Sequence, residues 1–545
     1  MSDGAHEISR SFLFSYDTGI VGGVLTLTAF EKDFGYSKAA ATNVNSNCVS
    51  ILQAGAFFGC FVIWPITARF GRRWSLVLSS FVFCVGAILQ VVNTHSIGCF
   101  YAGRVISGFG VGAATVIVPM YSAEMAPKHI RGQLGSCFQL FFAGGVAVSY
   151  WVNYAVQVSP SALDYSSAET DYPQKTVTPG TKQWQIPIGL QLVPGGLLGI
   201  GMIFLKESVR WLAKRGRNEE ALANLIWIRG GQDNEEVRIE FNEILAGIEE
   251  EIRVSEGLTW RELLLPANRF RIFIVVTMQL GKLGIFNLSN RYERLVTHLA
   301  IGVQLTGNTS LAYYTPQVFN SLGAGTSTSL VTGCFGIVKV LSCLLFVTVI
   351  VGRIGRKTAF MGGAAAMGTF MLIIAVLNAT NPPSKKVTPS AIAAIIMTYC
   401  EAASYNMSWG PVSWLYLGEI FPTRLREIGI AIGSASQWLF NFALSEITPH
   451  AIRNIGWRTF LMFAIFNYAL VFYAFFVLKE VRNCVASVHQ RSLELMKIKQ
   501  TRGRSLEEME DVFGSVETTI DSEAIRSKVI EHETTGPSKE AGVAA

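Results

Sequence analysis

The chain has 545 residues and a net charge of +6; half of its residues are hydrophobic and only 15% are charged. Soluble domains carry about 25% charged residues, so this composition, with a mean hydropathy of +0.36, excludes an ordinary soluble protein and calls for a bilayer. The basic residues cluster between apolar runs and nowhere interleave with aromatics as a base-stacking groove requires, which argues against a nucleic-acid partner.

A membrane-crossing helix needs about 20 largely apolar residues. Twelve such regions are predicted, at about 11–30, 47–67, 74–93, 97–120, 133–157, 184–205, a broken region 271–319, 328–351, 358–378, 389–420, 428–448 and 458–478. The expected architecture is therefore an all-α membrane protein with two six-helix bundles, 1–205 and 271–478. A charged linker, 206–270, separates them, and a polar tail, 479–545, follows. The N-terminus is short and acidic, and its apolar run contains Asp17, so no cleavable signal peptide is expected. Few apolar residues precede Tyr16-Asp17, which places the expected start of the first span further upstream.

Arginine and lysine follow the even-numbered spans: Arg69, Arg72 and Arg73 after the second, Lys128 and Arg131 after the fourth, Arg353, Arg356 and Lys357 after the eighth, Arg424 and Arg426 after the tenth. The alternate loops are poorer in these residues. The positive-inside rule then places both termini and the linker in the cytoplasm. The halves also repeat. Arg69-Phe70-Gly71-Arg72-Arg73 is matched by Arg353-Ile354-Gly355-Arg356-Lys357, and Glu124, Pro127, Arg131 by Glu419, Pro422, Arg426 with identical spacing. Repeated halves about a midplane site are the architecture of secondary transporters.

An ionisable residue inside an apolar span costs about 2.5–3.5 kcal/mol at the helix centre on insertion scales. Asp17 and Arg104 both lie in spans of the first half, and each is the natural partner of the other. A pair that opens and closes would bind and release a proton; a pair that stays closed would only fix helix packing.

Together, in order, Phe14-Ser15-Tyr16-Asp17-Thr18-Gly19, Gly103-Arg104-Val105-Ile106-Ser107-Gly108, Gln304-Leu305-Thr306-Gly307, Tyr313-Tyr314-Thr315-Pro316 and Gly410-Pro411-Val412-Ser413-Trp414 resemble the major facilitator superfamily, specifically its sugar porter family in the fungal style. The resemblance runs along nearly the whole chain. It implies proton coupling through Asp17, since proton symporters of the family tend to carry Asp there. It implies sugar contacts from Gln139, Gln304 and Gln437, with Trp414 beside the ring and Tyr313, Tyr314, Asn406 and Asn441 as further candidates. Amides and aromatics suit a polyol, but helix–helix hydrogen bonding is the alternative for each amide, and packing for Trp414. Lys339 departs from the family, which usually has Asn there, and some fungal quinate-type carriers show a similar Gly-Val-Val-Lys stretch. A lysine in the cavity suits a ring polyol with one carboxylate; a salt bridge to Glu401 is the other reading.

Arg69, Arg73, Glu124 and Arg131, with Arg353, Arg356, Glu419 and Arg426, resemble a cytoplasmic gate that latches the halves, although plain positive-inside topology explains the same charges. Ala68 and Gly352 stand where the family has Asp, which weakens the expected latch. Two stretches look foreign to the family, 280–301 inside the seventh span and 481–500 between Lys479-Glu480 and Thr501-Arg502-Gly503; both read as in-frame retained introns.

The expected function is proton-coupled symport of a monosaccharide, polyol or quinate by alternating access, at the plasma membrane. Passive hexose facilitation is the main alternative and a transport-dead nutrient sensor a weaker one. No P-loop, zinc spacing or nucleophile elbow occurs, so neither an enzyme, a cofactor nor a bound metal is expected. Cysteines such as Cys48, Cys60, Cys137 and Cys343 sit in or beside apolar runs and read as packing residues.

Overall fold

The computed structural model describes residues 15–37, 40–92, 94–125, 131–158, 180–255, 306–350, 354–382, 388–420, 426–476 and 478. Every one of the twelve expected regions contains helix. The first holds α1 (15–24) and α2 (Thr28–Phe34); then come α3 (Ala41–Phe70), α4 (Arg72–Val91), α5 (Ile97–Met125) and α6 (Arg131–Val158). The sixth is split into α7 (Lys182–Gly189) and α8 (Leu192–Phe204). The linker forms α9 (Val209–Lys214), α10 (Asn218–Ile228) and α11 (Glu235–Ser255). The second half contributes α12 (Asn308–Ser321), α13 (Thr328–Leu345), α14 (Arg356–Thr380), α15 (Pro389–Asn406), α16 (Trp409–Ile420), α17 (Arg426–Ile455) and α18 (Arg458–Phe476).

Seven of these segments are long and apolar enough to cross a bilayer by length and composition: Ala41–Phe70, Arg72–Val91, Ile97–Ser122, Lys182–Phe204, Thr328–Ile350, Arg356–Thr380 and Arg458–Phe476. The first span is described only from Ser15, the seventh only from Thr306, and the tenth breaks between α15 and α16 at Met407, so these do not stand alone as full crossings among the described residues. The lipid-facing sides carry exposed apolar residues such as Phe81, Ile200, Phe204, Ile465 and Phe472, as expected where acyl chains replace water.

Small residues set the helix spacing. A β-carbon at Gly55 or Gly59 would run into the Val105 or Phe109 carbonyl, and one at Gly108 or Gly112 into that of Leu52 or Ala56. The α3–α5 interface is thus a close backbone approach of the small-residue type that drives helix association in membranes.

Prolines break the spans where the site needs them broken. Pro316 has no N–H for the Ala312 carbonyl four residues back, and α12 kinks at Tyr314 (φ −111°, ψ 22°). The freed Ala312 carbonyl accepts from the Tyr150 hydroxyl on α6 at 2.6 Å. Pro449 leaves the Ser445 carbonyl of α17 in the same position, and the Tyr314 hydroxyl donates to it at 2.8 Å. Both of these carbonyls orphaned by a proline thus have a tyrosine donor.

The linker folds as a small helical unit on a core of Val209, Leu212, Leu225, Phe241 and Ile248. Ser208 caps α9 by accepting from the Trp211 N–H at 3.3 Å, an N-cap of the usual kind.

Candidate functional site

Asp17 on α1 and Arg104 on α5 form a buried ion pair, Nη1 to Oδ1 2.5 Å, with both residues at most 1% exposed. The Arg104 Nε donates to the Cys48 carbonyl of α3 at 2.8 Å, while its Nη2 has no hydrogen-bond partner. An arginine this deep is costly without a charge partner. Three helices converge on it, so the pair reports their relative position.

Thr18, next to Asp17, lines a central cavity together with Gln139, Tyr313, Lys339, Trp414, Gln437 and Asn441. Its free space is about 50 Å³, room for about four waters and not for a sugar ring; the halves are drawn together around it. Tyr313 connects the two features, since it lines the cavity and faces Thr18, Gln53 and Asp17. Gln437 Oε1 and Asn441 Oδ1 are buried without a hydrogen-bond partner. Buried acceptors left unmade are costly, and here they face the cavity.

Not every expected contact residue reaches this wall. Tyr314 points instead at Ser445, where it serves the proline break. Asn406 lies behind the wall, accepting from Gln139 Nε2 at 3.3 Å and donating to the Ala402 carbonyl at 2.7 Å. Gln304 lies outside the described residues. The wall also includes Asn308, Thr309, Thr115, Phe138 and Trp438, which sequence reasoning missed. Asn308 was findable, because it follows Gly307, whose φ of +88° starts α12. Phe138 packs on Trp414 with ring centroids 5.3 Å apart.

Lys339 and Glu401 are 2% and 0% exposed. They interact electrostatically, yet none of the described ion pairs joins them. The expected alternative of a direct salt bridge is therefore not what forms. Lys339 Nζ sits over the Phe335 ring, 5.6 Å from its centroid, a cation–π contact, and the residue lines the cavity.

The halves are joined at the end away from the basic loops. Ser46 and Ser50 of α3 donate to the two carboxylate oxygens of Glu446 on α17, each at 2.9 Å, and Ser445 donates to Gln53 Oε1 at 2.6 Å. Gln317 of α12 donates to the Gly22 carbonyl at 3.1 Å.

At the basic-loop end the partner of Glu124 is Arg72, with Nε and Nη2 at 3.1 and 2.9 Å from the two carboxylate oxygens. Arg69 and Arg73, the expected gate residues, are placed differently. Arg73 donates to the Met202 and Ile203 carbonyls at the end of α8 and lies over Trp74, and Arg69 lies over Phe70. Arg72, the first residue of α4, is 2% exposed. Arg356, its counterpart in the repeat, is 5% exposed. Arg353 lies outside the described residues, as do the side chains of Arg131, Glu419 and Arg426.

The Ser208 hydroxyl also donates to Glu124. Burial pushes the Glu124 carboxyl up, but the Arg72 guanidinium and the Ser208 hydroxyl outweigh it and hold the group below the ordinary carboxylate range. Glu207 accepts from the backbone N–H groups of Arg72, Arg73 and Ser208 at 2.9–3.2 Å, a carboxylate on a helix N-terminus. Burial raises its pKa more than these donors lower it.

The family described as sugar (and other) transporters matches residues 6–292 and 285–485 of the chain. The chain belongs to the sugar porter family of the major facilitator superfamily. It is thus an integral multi-pass membrane protein of a transporter family and not of an enzyme family. It is 33% identical over 489 residues to a protein of Aspergillus fumigatus named "Probable quinate permease", covering 87% of this chain and 83% of that one. It is 31% identical over 489 residues to the quinate permease of Emericella nidulans, covering 87% and 84%. Among solved structures, a proton:xylose symporter XylE bound to 6-bromo-6-deoxy-D-glucose superposes with a TM-score of 0.71 at 26% identity, covering 94% of this chain and 98% of that one. An inward-open XylE from E. coli superposes with a TM-score of 0.65 at 23% identity, covering 94% and 99%, a likeness of fold.

Proposed function

We propose that this transporter is a proton-coupled symporter of polyhydroxylated ring solutes, and that a ring bearing one carboxylate, as in quinate, is the cargo its cavity fits best. The observation that carries this reading is Lys339, a buried cation without a direct ion pair, on the wall of a cavity otherwise lined by amides, hydroxyls and aromatic rings. Gln139, Gln437 and Asn441 supply hydrogen bonds to ring hydroxyls, Trp414 supplies an apolar face, and Lys339 takes the carboxylate. The names of the Aspergillus fumigatus and Emericella nidulans relatives support the same cargo.

Asp17 is the proton carrier in this reading. Tyr313 lines the cavity and interacts electrostatically with the Asp17–Arg104 pair, so loading of the cavity and separation of the pair are linked in this reading. The bundles 1–205 and 271–478 rock about the cavity, the linker 206–270 and both termini face the cytoplasm, and the plasma membrane is the site of action. The contracted cavity, with the halves joined at the end away from the basic loops, then corresponds to a state closed to the outside.

Reconstitution into sealed vesicles tests the reading. Under an imposed inward proton gradient, labelled quinate accumulates above its external concentration, and a protonophore abolishes the accumulation. The amide-rich wall also suits a neutral hexose carried passively; equal equilibration of glucose with and without protonophore, and no quinate uptake, would establish that alternative.

A further inference from the structure

Glu401 is the most deeply buried acid among the described residues of the second half, 0% exposed. One carboxylate oxygen, Oε2, accepts from the Asn308 amide at 3.2 Å; the other, Oε1, has no hydrogen-bond partner. Asn308 itself lines the cavity, so a single side chain lies between the cavity and the carboxylate.

The charges around Glu401 are few. Lys339 on α13 faces it, with Cys343 beyond Lys339, and Tyr405 faces it from its own helix. α12 contains no charged residue; α14 has only Arg356 and Lys357 at its start, and α16 only Glu419 near its end. Among the described residues, the neighbourhood therefore contains one potential cation, Lys339, and one acid, Glu401. Without cargo it is neutral overall whether Lys339 and Glu401 are both charged or have exchanged a proton.

A carboxylate arriving at Lys339 changes that sum. Lys339 must be protonated to hold it, and with Glu401 ionised the pocket would contain two anions and one cation, away from water. An uncompensated buried charge is strongly unfavourable, and one proton on Glu401 removes it. From the exchanged state the pair also takes up one proton, which restores charge to Lys339 while Glu401 keeps the proton it already holds, so Glu401 ends protonated in either case. The free Oε1 oxygen is available for the O–H bond, and the proton comes from the water that fills the opened cavity.

We propose that Glu401 is a second proton-carrying group, which takes up one proton when a carboxylate-bearing solute engages Lys339. This rests on the reading of Lys339 as the carboxylate contact. An uncharged solute leaves the Lys339–Glu401 sum untouched and draws no proton there. The Asp17–Arg104 pair, directly bonded in the other half, is a separate site.

The test counts protons. The purified full-length protein in weakly buffered detergent solution, with a pH indicator, is titrated with quinate and with quinic acid methyl ester, which has the same ring without the charge. The wild type takes up one more proton per bound quinate than per bound ester. In Glu401→Gln this difference disappears, and the affinity for quinate between pH 5 and 8 becomes at least tenfold less dependent on pH. Glu401→Asp, still protonatable, retains the difference, which a purely structural role for the side chain does not explain. Equal proton counts for quinate and ester in the wild type overturn the proposal whether or not the variants fold, as does an extra proton that survives in well-folded Glu401→Gln. If quinate does not bind, or binds equally well in Lys339→Gln, the carboxylate reading of the cavity fails first and this inference with it.

Discussion

Tyr150 of the first half donates its hydroxyl to the carbonyl of Ala312 in the second half, at 2.6 Å, and Ala312 is the residue whose helical partner, Pro316, has no N–H to give. The kink that shapes the cavity wall is therefore completed across the interface between the halves. Tyr150→Phe leaves a buried carbonyl with only the distant Thr315 hydroxyl at 3.3 Å, a loss of about 1–3 kcal/mol. Thermal unfolding in detergent is expected to show a lower melting temperature, and uptake a lower maximal rate. An unchanged melting temperature would mean that the α12 break is satisfied without Tyr150.

Asp17→Asn removes the proposed proton carrier while keeping the shape of the side chain. Arg104 keeps its bond to the Cys48 carbonyl. Accumulation against a gradient is expected to be abolished, with exchange of labelled for unlabelled solute across vesicles preserved. Accumulation at the wild-type level would assign the proton to another group.

Lys339→Asn restores the residue usual in the sugar porters. Quinate uptake is expected to fall at least tenfold while hexose uptake, where present, is unaffected. An equal loss of both would make Lys339 structural.

Glu124 gives a dependence of stability on pH whose sign follows from its environment. Its carboxyl is held below the ordinary range by Arg72 and Ser208 against the effect of burial, so the native state binds this proton less readily than the unfolded chain. The stabilisation is present above the ordinary carboxylate pKa, about 4.3, and is lost as pH falls through the lower native value. Glu124→Gln removes the carboxylate that holds both the Nε and Nη2 of Arg72, a residue 2% exposed, and is expected to cost about 3–5 kcal/mol at pH 7. The gap between the two melting temperatures narrows below about pH 4. Comparison with Glu124→Gln at each pH cancels the opposite contribution of Glu207, common to both proteins.

Sequencing spliced transcripts tests the two foreign stretches, 280–301 and 481–500, both outside the described residues. The expected messenger lacks both, and transcripts encoding Arg291 and Arg491 would make them part of the working protein. The family match breaks into two segments that overlap at 285–292, inside the first stretch.

Much of the fold was legible because its signals are local. Apolar runs set the spans, and the repeated arginine motifs set the two halves. The Asp17–Arg104 pair was legible because a bilayer leaves each charge little other choice of partner. The errors have a common cause: sequence gives a position but not the direction of a side chain. Tyr313 and Tyr314 look equivalent in the chain, yet the kink at Tyr314 sends one to the cavity and the other to Ser445. Arg72, not its neighbours Arg69 and Arg73, faces Glu124: Arg69 lies in the last turn of α3, and on α4 the side chain of Arg72 turns to Glu124 while that of Arg73 turns to the end of α8. Glu401 was visible only as a possible partner of Lys339; its unsatisfied oxygen needed the surrounding helices.

Glu207 holds the first turn of α4 by its backbone, and the adjacent Ser208 is bonded to Glu124 at the end of α5. Through these two residues the central segment is riveted to one bundle, so in the proposed rocking cycle it travels with that bundle as a passenger when the other swings. A probe pair joining α10 to the α3–α4 turn would keep its distance throughout a turnover, and one joining α10 to the α13–α14 turn would register every stroke.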